Sequence, residues 1–179
     1  GINQQNIFVE DEDNERFIAT LERYQKEKEY ELYAYCLMGN HIHLLMKEGN
    51  EPLGNTIRRI GTSYVYWYNW QYGRKGHLFQ DRYRSEPVQD DSYFLTVLRY
   101  IHQNPLKAGL TKNIDEYEWS SFKEYTKEAR IVNVEHALVM FSKDRKTALK
   151  RCREFKMAAN DDRCIEINPE RTTISDKEI

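Results

Sequence analysis

Two histidines separated by one residue are the first side chains in this chain whose types and spacing could support chemistry. His41 and His43 lie in an apolar run, and if that run is a β-strand they share a face, because alternate strand residues point the same way. Two adjacent imidazoles can bind one divalent metal ion. A His-x-His pair also occurs as a partly buried structural feature. The pair alone therefore leaves both interpretations open.

A tyrosine and an asparagine four residues apart form the second candidate pair. The run before Pro105 predicts a helix that ends at the proline. On that helix Tyr100 and Asn104 are only about 40° apart, whereas His102 lies about 160° from Tyr100. The phenol and the amide can therefore reach one point together, and His102 cannot easily join them.

The residue types in these two pairs suit phosphoryl chemistry. A tyrosine hydroxyl beside a metal ion is a reasonable nucleophile toward phosphorus. The carboxamide oxygen of Asn104 is a hard ligand, and together with two imidazoles it suits Mg²⁺ or Mn²⁺. The chain has 13 tyrosines, so Tyr100 taken alone could equally be a packed aromatic residue.

The elements that must position these residues follow from hydrophobic spacing. We expect helices over residues 13–29 and 52–72 and a buried strand over 32–38. The Gly39-Asn40 pair predicts a tight turn into the histidine strand. Residues 78–88 read as a further strand, on which alternate arginines could line a phosphate track or face solvent at an edge.

This order of elements predicts an α+β fold, with a ferredoxin-like antiparallel sheet, helices on one of its faces and the tyrosine-bearing helix added. The first strand of that order would precede Gly1, so we expect it to be missing from this chain. A sheet without it has an edge that must be paired, which predicts an edge-paired or strand-exchanged homodimer.

We expect one domain over residues 1–125 and a helical extension with a polar tail over 126–179. Helices are predicted at 134–141 and 143–158. The second of these is strongly basic, so it could bind a DNA backbone or simply be a solvated helix packed by its apolar side.

Composition and charge narrow the class of protein. The chain has 179 residues, of which 40% are hydrophobic and 31% charged, which is typical of a globular protein. No apolar run is long enough to span a membrane, and three scattered cysteines suit a reducing compartment, so we expect a cytoplasmic protein.

Charge is distributed unevenly along the chain. Net charge is −2 overall, but residues 1–50 carry −5 and residues 51–110 carry +3. A polyanion would bind where the positive excess lies. The aromatic side chains of the 52–72 helix could stack on unpaired bases or form part of the core. The candidate DNA-binding residues are Arg58, Arg59, Arg74, Lys75, Arg82 and Arg84.

Four sequence motifs, in order, resemble those of a known family. The run 35–44 resembles the His-hydrophobic-His signature of the single-tyrosine HUH transposases. The runs 76–83, 99–109 and 117–121 resemble further signatures of the REP-associated tyrosine transposase branch of that superfamily. The resemblance covers about residues 1–125.

The resemblance implies a ferredoxin-like enzyme that cuts single-stranded DNA, often beside a hairpin. It implies Tyr100 as the nucleophile, a 5′-phosphotyrosine intermediate and a free 3′-hydroxyl whose return attack rejoins the strand. His41 and His43 map onto the metal-binding histidines of the family, and Asn104 maps onto the third ligand position.

Two other functions remain open on the sequence. A domesticated relative could recognise hairpin DNA without cutting it. An unrelated metal hydrolase could use the His-x-His pair, but it would need a further His, Asp or Glu ligand in place of Asn104.

Overall fold

A computed structural model of the chain describes residues 5–79, 83–162 and 164. Within these residues the fold is α+β, with one two-stranded antiparallel sheet, five α-helices and a short 3₁₀-helix. The elements in chain order are α1 Asp11–Lys28, β1 Glu31–Met38, β2 His41–Lys47, α2 Leu53–Gln71, α3 Asp91–Lys107, the 3₁₀-helix Ser121–Tyr125, α4 Val134–Leu138 and α5 Arg145–Met157.

The predicted hairpin forms at the predicted place. Met38 pairs with His41, so Gly39 and Asn40 make the turn, and the register then sets Cys36 opposite His43. Neither turn residue has a positive φ, so their tolerance of that conformation is not what makes the turn. The carbonyl of Gly39 instead accepts the amides of residues 7 and 8, at 2.7 and 3.1 Å.

The edge of β1 that faces away from β2 is covered by the segment carrying the 3₁₀-helix. The amide of Leu37 donates to the carbonyl of Trp119 at 2.8 Å, and the hydroxyl of Tyr117 donates to the carbonyl of Leu37 at 2.8 Å. The hydroxyl of Tyr125 reaches the carbonyl of Tyr33 at 2.9 Å. Nearly all of β1 is buried, as its continuous apolar sequence predicts.

Glu124 is a buried carboxylate that ties three parts of the chain together. One of its oxygens accepts the hydroxyl of Tyr35 at 3.1 Å. The other accepts three consecutive amides, those of Arg130, Ile131 and Val132, at 2.6, 2.8 and 3.2 Å. A buried carboxylate is tolerated only with such donors around it, so this residue fixes the start of the C-terminal region against β1.

The first two helices confirm their predictions to within two residues. Helix α1 begins at Asp11 rather than Asp13, because Asp13 is the third residue of a capping box and accepts the amide of Glu10 at 3.0 Å. Helices α1 and α2 pack together through aromatic rings, with Phe17 and Tyr64 at a centroid distance of 5.2 Å. This contact forms the centre of the core between them.

Two predictions about the middle of the chain were wrong. Helix α3 does not stop before Pro105 but continues to Lys107, because a proline in the last turn removes only its own amide bond. The described part of the predicted strand 78–88 is bent or irregular and pairs with no strand. A segment without a neighbouring strand gains no ladder hydrogen bonds. Residues 80–82 lie outside the described part.

The C-terminal helices form close to the predicted positions and pack on the rest of the molecule. Helix α4 spans Val134–Leu138 and α5 spans Arg145–Met157, both shorter than predicted. On α5, Ala148 and Cys152 are buried against α3 and α4. The domain division at residue 125, the full ferredoxin-like sheet and a strand before Gly1 stay predictions.

No helix in the described part of the chain is long and apolar enough to cross a membrane.

Replacing Glu124 by alanine should destabilise the fold strongly. The Glu124→Ala variant leaves three amides and a tyrosine hydroxyl without their acceptor, so the free energy of unfolding should fall by about 3 kcal/mol. Urea titration followed by circular dichroism measures this loss. Glu128→Ala, on an exposed neighbour, is the control and should change the free energy by less than about 0.5 kcal/mol. Equal effects would contradict the structural role of Glu124.

Candidate active site

The two histidines of β2 lie side by side. Their ring centroids are 4.9 Å apart and the ring planes are nearly perpendicular, at 89°. The Nδ1 of His41 is 2.6 Å from the side-chain oxygen of Asn40. That oxygen can only accept, so Nδ1 carries the proton and Nε2 keeps its lone pair. This is the tautomer that a metal-binding histidine needs, with its second nitrogen held by a neighbouring acceptor.

Helix α3 brings Tyr100 to the same place. The helix packs across both strands, because Phe94, Leu98 and Ile101 form its buried side. The ring of Tyr100 lies 5.9 Å from the ring of His43, edge to face at 90°. A residue 57 positions later in the chain is thus in contact with the histidine strand. The structure brings the predicted nucleophile and the predicted metal-binding pair together.

Burial keeps both imidazoles neutral. It lowers the pKa of His43 to about 4, and the neighbouring His41 contributes further to that shift. Burial also lowers the pKa of His41. A metal ion binds the neutral form of histidine. Because this pair is neutral at physiological pH, no proton has to leave either ring before a metal ion binds.

Asn104 lies one helical turn beyond Tyr100 on α3 and does not line the groove that holds His41, His43 and Tyr100. Its Nδ2 is buried and has no hydrogen-bond partner among the described residues. A buried amide that is not held by hydrogen bonds can turn its oxygen to either side.

The donor types of two neutral imidazoles and an amide oxygen suit Mg²⁺ or Mn²⁺, but in this structure Asn104 lies outside the groove that the two histidines line. The part of the chain described here holds no group of three or more His, Cys, Asp or Glu side chains that could bind a metal. The hydrolase alternative would need such a group.

A groove of about 2140 Å³ runs past these residues. The groove is bounded by β2, α2, the irregular segment 83–89 and α3. Of the candidate DNA-binding residues, Arg58 and Arg84 line it and are exposed.

The other candidate cations are placed differently. Arg59 pairs with Glu51 at 3.2 Å. Arg74 donates to the side chain of Gln5 at 3.2 Å, so its guanidinium group is hydrogen-bonded to the N-terminal segment. Lys75 is exposed, and Arg82 lies outside the described residues. The predicted arrangement of Arg82 and Arg84 on one strand face is therefore not supported, since residues 83–88 form no strand.

Comparison with known proteins places this chain in a family. Residues 2–104, which include both histidines, Tyr100 and Asn104, match the family model described as "Transposase IS200 like". The chain belongs to the IS200-like transposase family.

Two relatives point to one branch of this family. A Haemophilus influenzae protein described as a REP-associated tyrosine transposase is 28% identical over 104 residues, which cover 52% of this chain and 59% of that protein. A solved structure of a REP-associated tyrosine transposase bound to a REP hairpin shares the fold, with a TM-score of 0.58 at 16% identity, over 73% of this chain and 75% of that one. The predicted resemblance to the REP-associated branch is confirmed.

Sequence reasoning missed the pair that holds α3 in place. His102 is buried, and its Nε2 lies 2.9 Å from the hydroxyl of Ser121. The same hydroxyl accepts the amide of Tyr35 at 2.9 Å and donates to the carbonyl of Tyr35 at 3.2 Å. The position of His102 on the helix showed that it cannot join Tyr100, but no local pattern showed its partner, because Ser121 comes 19 residues later.

The pKa of His43 should make stability depend on pH. The folded value of about 4 is below the ordinary 6.5, so the unfolded chain binds more protons between these values. The free energy of unfolding should therefore fall as pH drops from 6.5 toward 4, by up to about 3 kcal/mol.

Urea unfolding between pH 4 and pH 7.5, with EDTA present, measures this slope. His43→Asn should flatten it, whereas His77→Asn, on an exposed histidine, should leave it unchanged. A slope that persists in His43→Asn would refute the assignment to His43.

Proposed function

We propose that this transposase-family chain is a metal-dependent endonuclease and strand transferase for single-stranded DNA next to hairpins, with Tyr100 as its nucleophile. The proposal depends chiefly on one observation, the contact between the rings of Tyr100 and His43 at 5.9 Å.

The relatives support the DNA partner. One is described as a REP-associated tyrosine transposase, and another was solved with a REP hairpin bound. The chain spans 59% of the length of the Haemophilus influenzae relative. The DNA-cutting activity and the DNA partner are therefore proposals for this chain. A DNA substrate is also in keeping with the cytoplasmic location expected from the sequence.

The reaction would exchange one phosphodiester for another. The Oη of Tyr100 forms a bond to phosphorus while the bond from phosphorus to the 3′-oxygen breaks, which leaves a 5′-phosphotyrosine and a free 3′-hydroxyl. The phenol loses its proton and the departing 3′-oxygen gains one. Attack by a 3′-hydroxyl on the phosphotyrosine reverses the step and joins strands.

The side chains of this protein would position the nucleophile and bind the cation. His41, His43 and Asn104 would hold the cation, and a bound Mg²⁺ or Mn²⁺ would polarise the scissile phosphate and offset its developing charge. Asn40 fixes the tautomer of His41. The contact of the Tyr100 ring with His43 sets the phenol beside the histidine pair, so little reorganisation is needed before attack.

The covalent adduct is the decisive test. A labelled single-stranded oligonucleotide bearing a hairpin, incubated with the full chain and Mn²⁺ or Mg²⁺, should give a protein–DNA adduct on a denaturing gel. Tyr100→Phe should abolish the adduct because it lacks the attacking oxygen, and EDTA should do the same. Tyr93→Phe, seven residues earlier on the same side of α3, is the matched control and should still form the adduct.

Other outcomes identify the alternative functions. Tight hairpin binding without an adduct by the unmodified chain would indicate a domesticated DNA-binding protein. Cleavage that survives in Tyr100→Phe would indicate a metal hydrolase that uses water.

We also propose that the chain forms a homodimer through the free edge of β2. In the described residues β2 has β1 as its one neighbouring strand, so its other edge has no strand partner among them. Unpaired strand edges favour pairing with another chain. Light scattering after size exclusion should give about twice the 21.5 kDa chain mass.

Leu44→Pro removes a backbone donor on β2 and should shift the mass to that of the monomer, with Glu128→Pro, at an exposed residue outside the helices and strands, as the control. A monomeric unmodified chain at micromolar concentration would exclude this dimer.

A further inference from the structure

Two aromatic side chains on α2 face solvent. Tyr66 is 79% exposed and Trp70 is 74% exposed, whereas Tyr64 and Tyr68, between and beside them, are buried. The exposed pair is one turn apart, so the rings are offset by about 6 Å along the helix and about 40° around it. Core packing therefore accounts for three of the five aromatics of this helix, Tyr64, Trp67 and Tyr68, and leaves Tyr66 and Trp70 without a structural role.

The chain segment that carries this pair has a net positive charge, although Glu51 pairs with Arg59 and α1 brings Glu12 and Asp13 against the end of α2. Residues 53–76 include four Lys or Arg and no Asp or Glu, in a chain whose net charge is −2. Arg58 lies eight residues before Tyr66 on α2, about 80° from it around the helix, and its side chain is exposed and forms no ion pair with the described residues. The surface therefore combines flat aromatic rings with guanidinium groups.

This surface is continuous with the candidate active site. Arg58 and Tyr66 line the same groove as His43 and Tyr100, and Trp70 lies one turn beyond Tyr66 on α2, outside the residues that line the groove. A strand whose phosphate lies at Tyr100 could therefore follow the groove to these rings.

The exposed side of α2 carries no aliphatic side chain. Its exposed residues are Asn55, Arg58, Arg59, Thr62, Tyr66, Trp70 and Gln71. An interface with an apolar protein surface would be richer in aliphatic groups and poorer in cations at its centre. Single-stranded nucleic acid is bound by aromatic platforms beside a positive groove, since every base has a π-face and every linkage has a negative charge.

We propose that Tyr66 and Trp70 form a stacking platform for unpaired bases of the DNA strand that flanks the cleavage position. This rests on the proposed function for its substrate, and it adds the residues that bind the strand away from the reacting phosphate. The platform reads no sequence, because stacking is tolerant of base identity.

Equilibrium binding tests the platform without any cutting. Fluorescence anisotropy compares the full chain on a labelled 15-nucleotide oligo(dT) and on an oligonucleotide of equal length made of abasic residues, which keeps the phosphates and lacks the bases. The unmodified chain should bind oligo(dT) about tenfold more tightly than the abasic strand.

Trp70→Ala and Tyr66→Ala should each weaken oligo(dT) binding by about five- to tenfold and leave abasic binding unchanged. Trp70→Phe should restore most of the affinity, since it keeps an aromatic face. Val139→Ala, at a distant side chain that is 68% exposed, is the control and should bind both strands normally. The dependence of affinity on salt should be the same in all variants, because no phosphate contact is lost.

Three results would overturn the platform. The first is equal affinity of the unmodified chain for both strands. The second is an equal loss on both strands in Trp70→Ala. The third is a change of molecular mass in the alanine variants with unchanged DNA binding, which would make this face a protein interface. Failure of the proposed function shows separately, as an unmodified chain that binds oligo(dT) through these rings yet forms no adduct.

Discussion

The geometry of the site depends on the hydrogen bonds made by the hydroxyl of Ser121. It bonds to both backbone groups of Tyr35 in β1 and to the ring of His102 in α3. Because the single proton of Ser121 goes to the carbonyl of Tyr35, the Nε2 of His102 must be the donor. The Nδ1 of His102, which has no hydrogen-bond partner among the described residues, is then a bare lone pair, which is less costly to bury than a free N–H group. Strand and helix are thus joined two residues from Tyr100.

The C-terminal region strengthens the same attachment from the other side of α3. Arg99 pairs with Asp162 at 2.6 Å, and Gln103 donates to the carbonyl of Lys156 at 2.8 Å. Lys156 itself is fully buried, with its Nζ 3.6 Å from the ring centroid of Tyr125. Burial lowers the pKa of Lys156 to about 7. This cation of the basic α5 is therefore part of the core, and it is not available to a DNA backbone.

The contacts on both sides of α3 fix this helix against the rest of the fold, although the groove beside β2 is wide. The far wall of this groove, at residues 83–89, forms no regular structure. The residues proposed for chemistry do not depend on that wall, because they lie on the hairpin and on α3. Those two elements are held together by buried hydrogen bonds and by the apolar side of α3. A binding surface can therefore be adaptable while the reacting groups stay fixed.

The sequence by itself determined the local elements: the hairpin at Gly39-Asn40 and helices α1 and α2. Each of these depends on hydrophobic period and turn chemistry within a few residues. The strand at 78–88 failed because a strand exists only with a neighbour, which no local pattern can show. Only the tertiary structure decided that Tyr100 meets His43, that Ser121 joins His102 to β1, and which aromatics of α2 face solvent, since these depend on contacts between distant segments.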